Sequence, residues 1–152
     1  MHKVIVADTS CLIILHNIGL FNILHDLFGE IIITPQVREE FNENLPDWIK
    51  VIEAKDKSLM LSLSISLDKG EASSITLCME QKDDTLLIID ERKGRKVAMD
   101  LGIKIMGTLG IILKAKEKGK INSLIEIIAK LEKSDFRLSR QLKDLLRDLN
   151  GE

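Results

Sequence analysis

Four apolar residues, Val4-Ile5-Val6-Ala7, run into Asp8-Thr9-Ser10 and then into a second apolar run, Cys11-Leu12-Ile13-Ile14-Leu15. The first run reads as a short strand buried on both faces, and the second as a helix that begins where the strand ends. The alternation continues along the chain. Leu20, Ile23, Leu24, Leu27 and Phe28 form a helical stripe stopped by Gly29, and Ile31-Ile32-Ile33 is a second buried strand. Thr34-Pro35 opens a helix with Val37 and Phe41 on its apolar face, and Pro46 ends it. Trp48 to Ala54 reads as a short edge strand. Ser58 to Leu67 alternates with a strand-like period, but its residues suit a short helix, which is the expected form.

Asp68-Lys69-Gly70-Glu71 begins a helix expected to reach about Lys82, and Asp83-Asp84 is the turn after it. Leu86-Leu87-Ile88-Ile89 is a third clear strand, ending at Asp90. Glu91 to Leu101 reads as helix with Gly102 as its stop, and Lys104-Ile105-Met106 as a last short strand. Gly107-Thr108 then opens a helix to about Lys118. The final third is all helix. Ser123 and Glu126 have capping-box spacing ahead of Leu124, Ile127, Ile128 and Leu131, and Ser139 can cap a helix bearing Leu142, Leu145, Leu146 and Leu149. Strands alternating with helices predict an α/β fold: three layers, α/β/α, around a central, mostly parallel, twisted sheet. No linker or repeat divides the chain, so one domain over 1–152 is expected, with a helical extension from about 121 to 150.

Composition narrows the function. The 152 residues are 45% hydrophobic and 30% charged, with a net charge of -2, so any basic surface must be local. The aromatic fraction is 3%, which argues against a platform that stacks bases on aromatic rings. Cys11 and Cys78 sit in apolar helical patterns and read as buried free thiols, and His2, His16 and His25 lack the spacing of a zinc site. No apolar run approaches the ~20 residues of a membrane span, and Asp8 interrupts the N-terminal run too early for a signal peptide. The expected location is the cytoplasm.

Asp8 and Asp90 each end a strand, Glu71 opens a helix, and Glu40 lies on the helix after Ile31-Ile33. In a parallel three-layer sheet the strand C-termini share one edge, where ligands bind. Singly, each acid also has a plain explanation: Asp8 as a helix cap, Glu71 and Glu91 as first-turn acids, Glu40 as solvated surface beside Glu39 and Glu43. Together they are costly. Two carboxylates ~5 Å apart repel by roughly 3 kcal/mol at an effective dielectric of 20. Such a set takes up protons or binds a cation, and all-oxygen ligation selects Mg2+ or Mn2+. That ion supports phosphodiester hydrolysis.

Asp8-Thr9-Ser10 after a strand, Val37-Arg38-Glu39-Glu40-Phe41, Gly70-Glu71-Ala72 opening a helix, and Asp90-Glu91-Arg92-Lys93-Gly94-Arg95 after a strand occur in the order seen in PIN-domain nucleases. Leu101-Gly102-Ile103, Gly107-Thr108-Leu109-Gly110 and Phe136-Arg137-Leu138-Ser139 resemble a prokaryotic PIN subfamily allied to VapC-type toxins. The resemblance implies a metal-dependent endoribonuclease acting on single-stranded RNA. It implies catalytic acids at Asp8, Glu40, Glu71 and Asp90, with Asp8, Glu71 and Asp90 as metal ligands. Glu39 competes with Glu40, and Glu71 stands where many relatives carry aspartate. Thr9 or Ser10 would donate to the first carboxylate or to a coordinated water, Glu91 would add a water-mediated contact, and Thr108 would support the site. A homodimer and a small antitoxin partner are further implications. Arg92 and Arg95, beside Asp90, are the candidates for substrate phosphates, ahead of Lys93 and Lys96. The rival reading keeps the fold without catalysis, as a nucleic-acid-binding or protein-interaction module with structural carboxylates. A phospho-acceptor receiver domain is a weaker third, because Asp8 lacks a companion acid and Gly107-Thr108, not lysine, follows the last strand.

Overall fold

The computed structural model describes residues 4–133 apart from residue 82. The helix expected after Ser139, the Phe136–Ser139 motif and His2 lie outside the described residues. Elements follow in the order β1 (Val4–Ala7), α1 (Thr9–Asn17), α2 (Ile23–Phe28), β2 (Ile31–Ile33), α3 (Pro35–Phe41), β3 (Ile49–Val51) and α4 (Lys57–Leu63). Then come α5 (Lys69–Glu80), β4 (Thr85–Ile88), α6 (Arg92–Asp100), β5 (Lys104–Met106), α7 (Thr108–Glu117) and α8 (Leu124–Lys133).

The five strands form one sheet in the order β3-β2-β1-β4-β5, and every pairing is parallel. Side chains alternate across it, as the pleat requires. Ile5, Ala7, Ile31, Ile33, Leu86 and Ile88 face one way and pack with Leu12, Leu15, Leu24, Val37, Ile111, Ile112 and Leu124 from α1, α2, α3, α7 and α8. Val6, Ile32, Leu87 and Ile89 face the other way and pack with Ala72, Ile75, Leu77 and Ala98 from α5 and α6. The result is the three-layer α/β/α arrangement that the alternating pattern predicts. Cys11 and Cys78 are both free and buried, and they belong to opposite layers, so no disulfide joins them.

Several boundaries differ from the sequence reading for local reasons. Leu20 and Phe21 pack against the core, but the helix begins only at Ile23, after a turn in which Leu20 N–H donates to the Leu15 carbonyl at 2.8 Å. Apolar spacing thus marks the buried face without marking the helix start. The alternating segment is a helix at Lys57–Leu63, started by Asp56, whose carboxylate accepts from Leu59 N–H at 3.0 Å. Its alternation leaves Leu61 and Ile65 74% and 88% exposed. The edge strand contracts to Ile49–Val51.

One buried polar contact ties the helices that carry two predicted acids. Thr34 caps α3 by accepting from Val37 N–H at 3.2 Å, and its hydroxyl pairs with that of Ser73 on α5 at 2.8 Å. Thr34 is 0% exposed, so removing its oxygen strands the Val37 N–H, while Ser73 keeps its bond to the Gly70 carbonyl at 3.0 Å. We expect Thr34→Ala to lower unfolding free energy by about 1–2 kcal/mol, through the lost cap and the lost hydrogen bond to Ser73. Urea denaturation of variant and parent checks this, and a change below about 0.5 kcal/mol would deny Thr34 its bridging role.

Candidate active site

The strand order puts β1 beside β4, where chain connections diverge to left and right. Ala7 pairs with Ile88, and Ile88 with Met106, so the three strands end level with one another. Asp8, Asp90 and Thr108 leave the sheet together at that edge. The N-termini of α3 and α5 close in beside them, tied by Thr34 and Ser73.

Asp8 is the odd member. It occupies the cap position of α1 with extended backbone, yet its side chain makes no capping hydrogen bond. The residue is 2% exposed, and Oδ1 is buried with no hydrogen-bond partner. The plain helix-cap explanation therefore does not account for it. Burial raises its pKa to about 7, the charges of Asp68, Glu71 and Glu40 push the same way, and the Thr9 backbone N–H opposes them.

Thr9 was expected to serve Asp8 or a coordinated water. Its hydroxyl instead donates to Glu40 Oε1 at 3.0 Å, because α3 brings that carboxylate over the start of α1. This settles which neighbouring acid faces the edge: Glu40 does, while Glu39 lines a cavity of about 410 Å³ with Lys57, Met60, Leu61 and Lys69. Ser10 is half-buried and donates to none of the acids. Partial burial raises the pKa of Glu40, Asp68 and Glu39 add to the rise, and the Thr9 hydroxyl lowers it in part.

Glu71 and Asp68 form a capping box at the start of α5. Asp68 accepts from Glu71 N–H at 2.8 Å, and Glu71 Oε1 accepts from Asp68 N–H at 3.2 Å. Burial raises Glu71 to about 7, and the charges of Asp68 and Glu91 add to the rise against the Asp68 backbone N–H. Glu91, expected as a water-mediated contact, caps α6 by accepting from Gly94 N–H at 2.8 Å, which lowers its pKa.

Asp90 is fixed by Thr108. The backbone N–H of Thr108 donates to Asp90 Oδ1 at 2.7 Å, and its hydroxyl donates to Oδ2. Arg95, a candidate for substrate phosphate, donates from Nη1 to the Ile89 carbonyl at 2.8 Å, whereas Arg92 is exposed. No described lysine or arginine forms an ion pair with Asp8, Glu40, Glu71 or Asp90.

Glycines make the crowding possible. A Cβ on Gly70 would sit 2.0 Å from Glu40 Oε1, 3.1 Å from Thr9 Oγ1 and 3.2 Å from Asp8 Oδ1. One on Gly107 would sit 2.9 Å from Asp90 Oδ1 and 2.8 Å from Arg95 Nη1, and one on Gly94 3.4 Å from Glu71 Oε2. Sequence reasoning placed Gly70 and Gly107 only at helix starts, and it left Asp68 as a bare helix opener. The acid three residues before Glu71, at capping-box spacing, was the signal available for Asp68.

A family model described as a PIN domain matches residues 4–152. The chain belongs to the PIN-domain family. PIN domains are generally nucleases, hydrolases of nucleic acid that typically use divalent metals, and the position of these acids at the sheet edge agrees with a function of that type. No curated protein matches the chain. No solved structure matches it either.

The residues suit a hard divalent cation in their chemistry: all-oxygen donors, an orphaned buried carboxylate oxygen, and no ion pair to a described lysine or arginine, although the Arg95 guanidinium lies beside Asp90. Among the described residues, however, no three acidic, histidine or cysteine side chains are already gathered around one point. Glu71 is turned toward its helix cap and Asp90 toward Thr108, so ligation by this PIN domain requires side chains to rotate inward.

Two outcomes follow from the site. Asp8 and Glu71 hold protons in the folded chain that the unfolded chain has lost above its ordinary values of 3.8 and 4.5. The native state then binds more protons, and metal-free stability falls as pH rises from about 4 to about 7 and levels off above. Urea midpoints in the presence of a chelator measure this; Asp8→Asn should flatten the slope, and a midpoint climbing across that window would contradict the burial of Asp8. Second, Gly70→Ala should change stability by less than about 1 kcal/mol, because the free end of Glu40 can move aside. The same variant should lose the Thr9–Glu40 hydrogen bond, and a crystal structure retaining it would refute the close approach.

Proposed function

We propose that this PIN domain is a Mg2+- or Mn2+-dependent endoribonuclease that cleaves single-stranded RNA, with Asp8, Glu71 and Asp90 as ligands and Glu40 assisting. The observation that carries the reading is the Asp8 carboxylate: buried, aimed at the start of α5, not used as a cap, and neighboured by other acids that form no ion pair with a described lysine or arginine. When bound, the ion supplies the missing counter-charge, neutralises a phosphate and acidifies a water molecule.

The chain's own groups do the rest. Asp8 presents an oxygen held rigid by burial, and Thr108 keeps both oxygens of Asp90 in one orientation. Glu40, near Asp8 and raised in pKa, is suited to take a proton from the attacking water and is steered by Thr9. Exposed Arg92, two residues beyond Asp90, can engage a backbone phosphate, and Arg95 braces the Ile89 carbonyl beside it. The choice of RNA rests on the likeness of the sequence motifs at 101–103, 107–110 and 136–139 to a PIN subfamily allied to VapC-type toxins. The same reading includes a homodimer and a small neutralising antitoxin, and the exposed Leu61 and Ile65 support a protein-covered surface.

One observation favours the catalytically silent alternative: no three acids are pre-gathered among the described residues. Cleavage of a labelled single-stranded RNA with Mn2+, Mg2+ or chelator separates the two. Asp8→Asn and Asp90→Asn should each cut the metal-dependent rate by about 100-fold or more while RNA binding persists. Absence of cleavage by the unmodified protein with either ion would favour the silent module.

A further inference from the structure

We infer that Asp68 is an additional acid of the cation site, strengthening cation binding through its charge and through its hold on Glu71. The inference rests on the nuclease reading and adds to it a residue outside the four acids of the motif.

Asp68 stands two residues before Gly70, the point on which Glu40 Oε1, Thr9 Oγ1 and Asp8 Oδ1 converge. Its Oδ1 accepts from Glu71 N–H at 2.8 Å, and its own N–H donates to Glu71 Oε1 at 3.2 Å, so it fixes where the Glu71 carboxylate begins any movement. Its second oxygen makes no hydrogen bond among the described residues. Asp8, 2% exposed and with Oδ1 unpartnered, points at the same crevice.

A helix start favours an acid, but Asn or Ser caps nearly as well without adding to the repulsion. A further acid at this edge is unfavourable in the metal-free protein and favourable once a divalent ion is held. Asp68 is therefore a positioning residue for Glu71 and a source of attraction for the ion.

Titration of the full chain with MnCl2, followed by calorimetry, tests this alongside melting in chelator. Asp68→Asn keeps the cap and removes the charge: we expect Mn2+ affinity to fall about three- to tenfold, more at low salt, with metal-free melting unchanged or raised. Asp68→Glu keeps the charge and disturbs the cap, so affinity should stay within about twofold while melting drops. Should the Asn variant fold poorly, Asp68→Ser offers the same neutral cap. Parental affinity in the neutral variants would make Asp68 a helix cap only and overturn the inference while leaving the nuclease reading intact. An unmodified chain that takes up no Mn2+ would overturn both.

Discussion

Repulsion among carboxylates that the backbone forces to one sheet edge is the constraint around which this protein is arranged. Asp8 cannot retreat from it. β1 is central, paired on both sides, and α1 begins at the next residue, so the side chain is delivered into a dry position at the switch point. Burying an unpaired carboxylate as an anion is far more costly than leaving it protonated, and the rise of its pKa to about 7 is the form that cost takes. The apolar layers on both sides of β1 hold the strand, and through it the carboxylate, against that penalty.

The rest of the edge divides by how each acid is satisfied. Glu71 and Glu91 accept backbone N–H groups at the starts of α5 and α6. Asp90 receives two donors from Thr108. Glu40 receives one from Thr9. Only Asp8 has an oxygen left over in the buried interior. An edge assembled this way is compatible with folding, because most of its charge is already hydrogen-bonded, and its one uncompensated oxygen sits on Asp8.

The layered fold was legible because period and punctuation agreed: β-branched runs for central strands, Thr34-Pro35, Gly29 and Gly102 for helix ends. The four acids were legible as ends of those elements, and the sheet order then follows the expectation that Asp8 and Asp90 share an edge. What the sequence hid was which partner each side chain takes. Thr9 serves Glu40, not Asp8, since its direction depends on the path of α3 across α1. Glu91 and Glu71 are real caps, so for them the modest explanation from helix chemistry holds together with the site's. The turn at Leu20–Asn22 was hidden for another reason: buried apolar residues recur there whether or not the backbone is helical.

Gly70, Gly94 and Gly107 show how tightly the edge is built. Each precedes or opens a helix turn where a side chain would ordinarily be tolerated, and in each case an acid's oxygen lies within 3.4 Å of the position a Cβ would take. Helix propensity alone would favour replacing Gly70 and Gly94, which lie inside α5 and α6. At Gly70 the Glu40 carboxylate takes the space a Cβ would fill, whereas at Gly94 the Ile89 side chain, 2.7 Å from that position, takes it. Helix propensity given up at Gly70 thus appears as closeness among acids. Local helix preference and local charge balance both run against the arrangement at Gly70, as they do where a fold gives up local stability at a functional site.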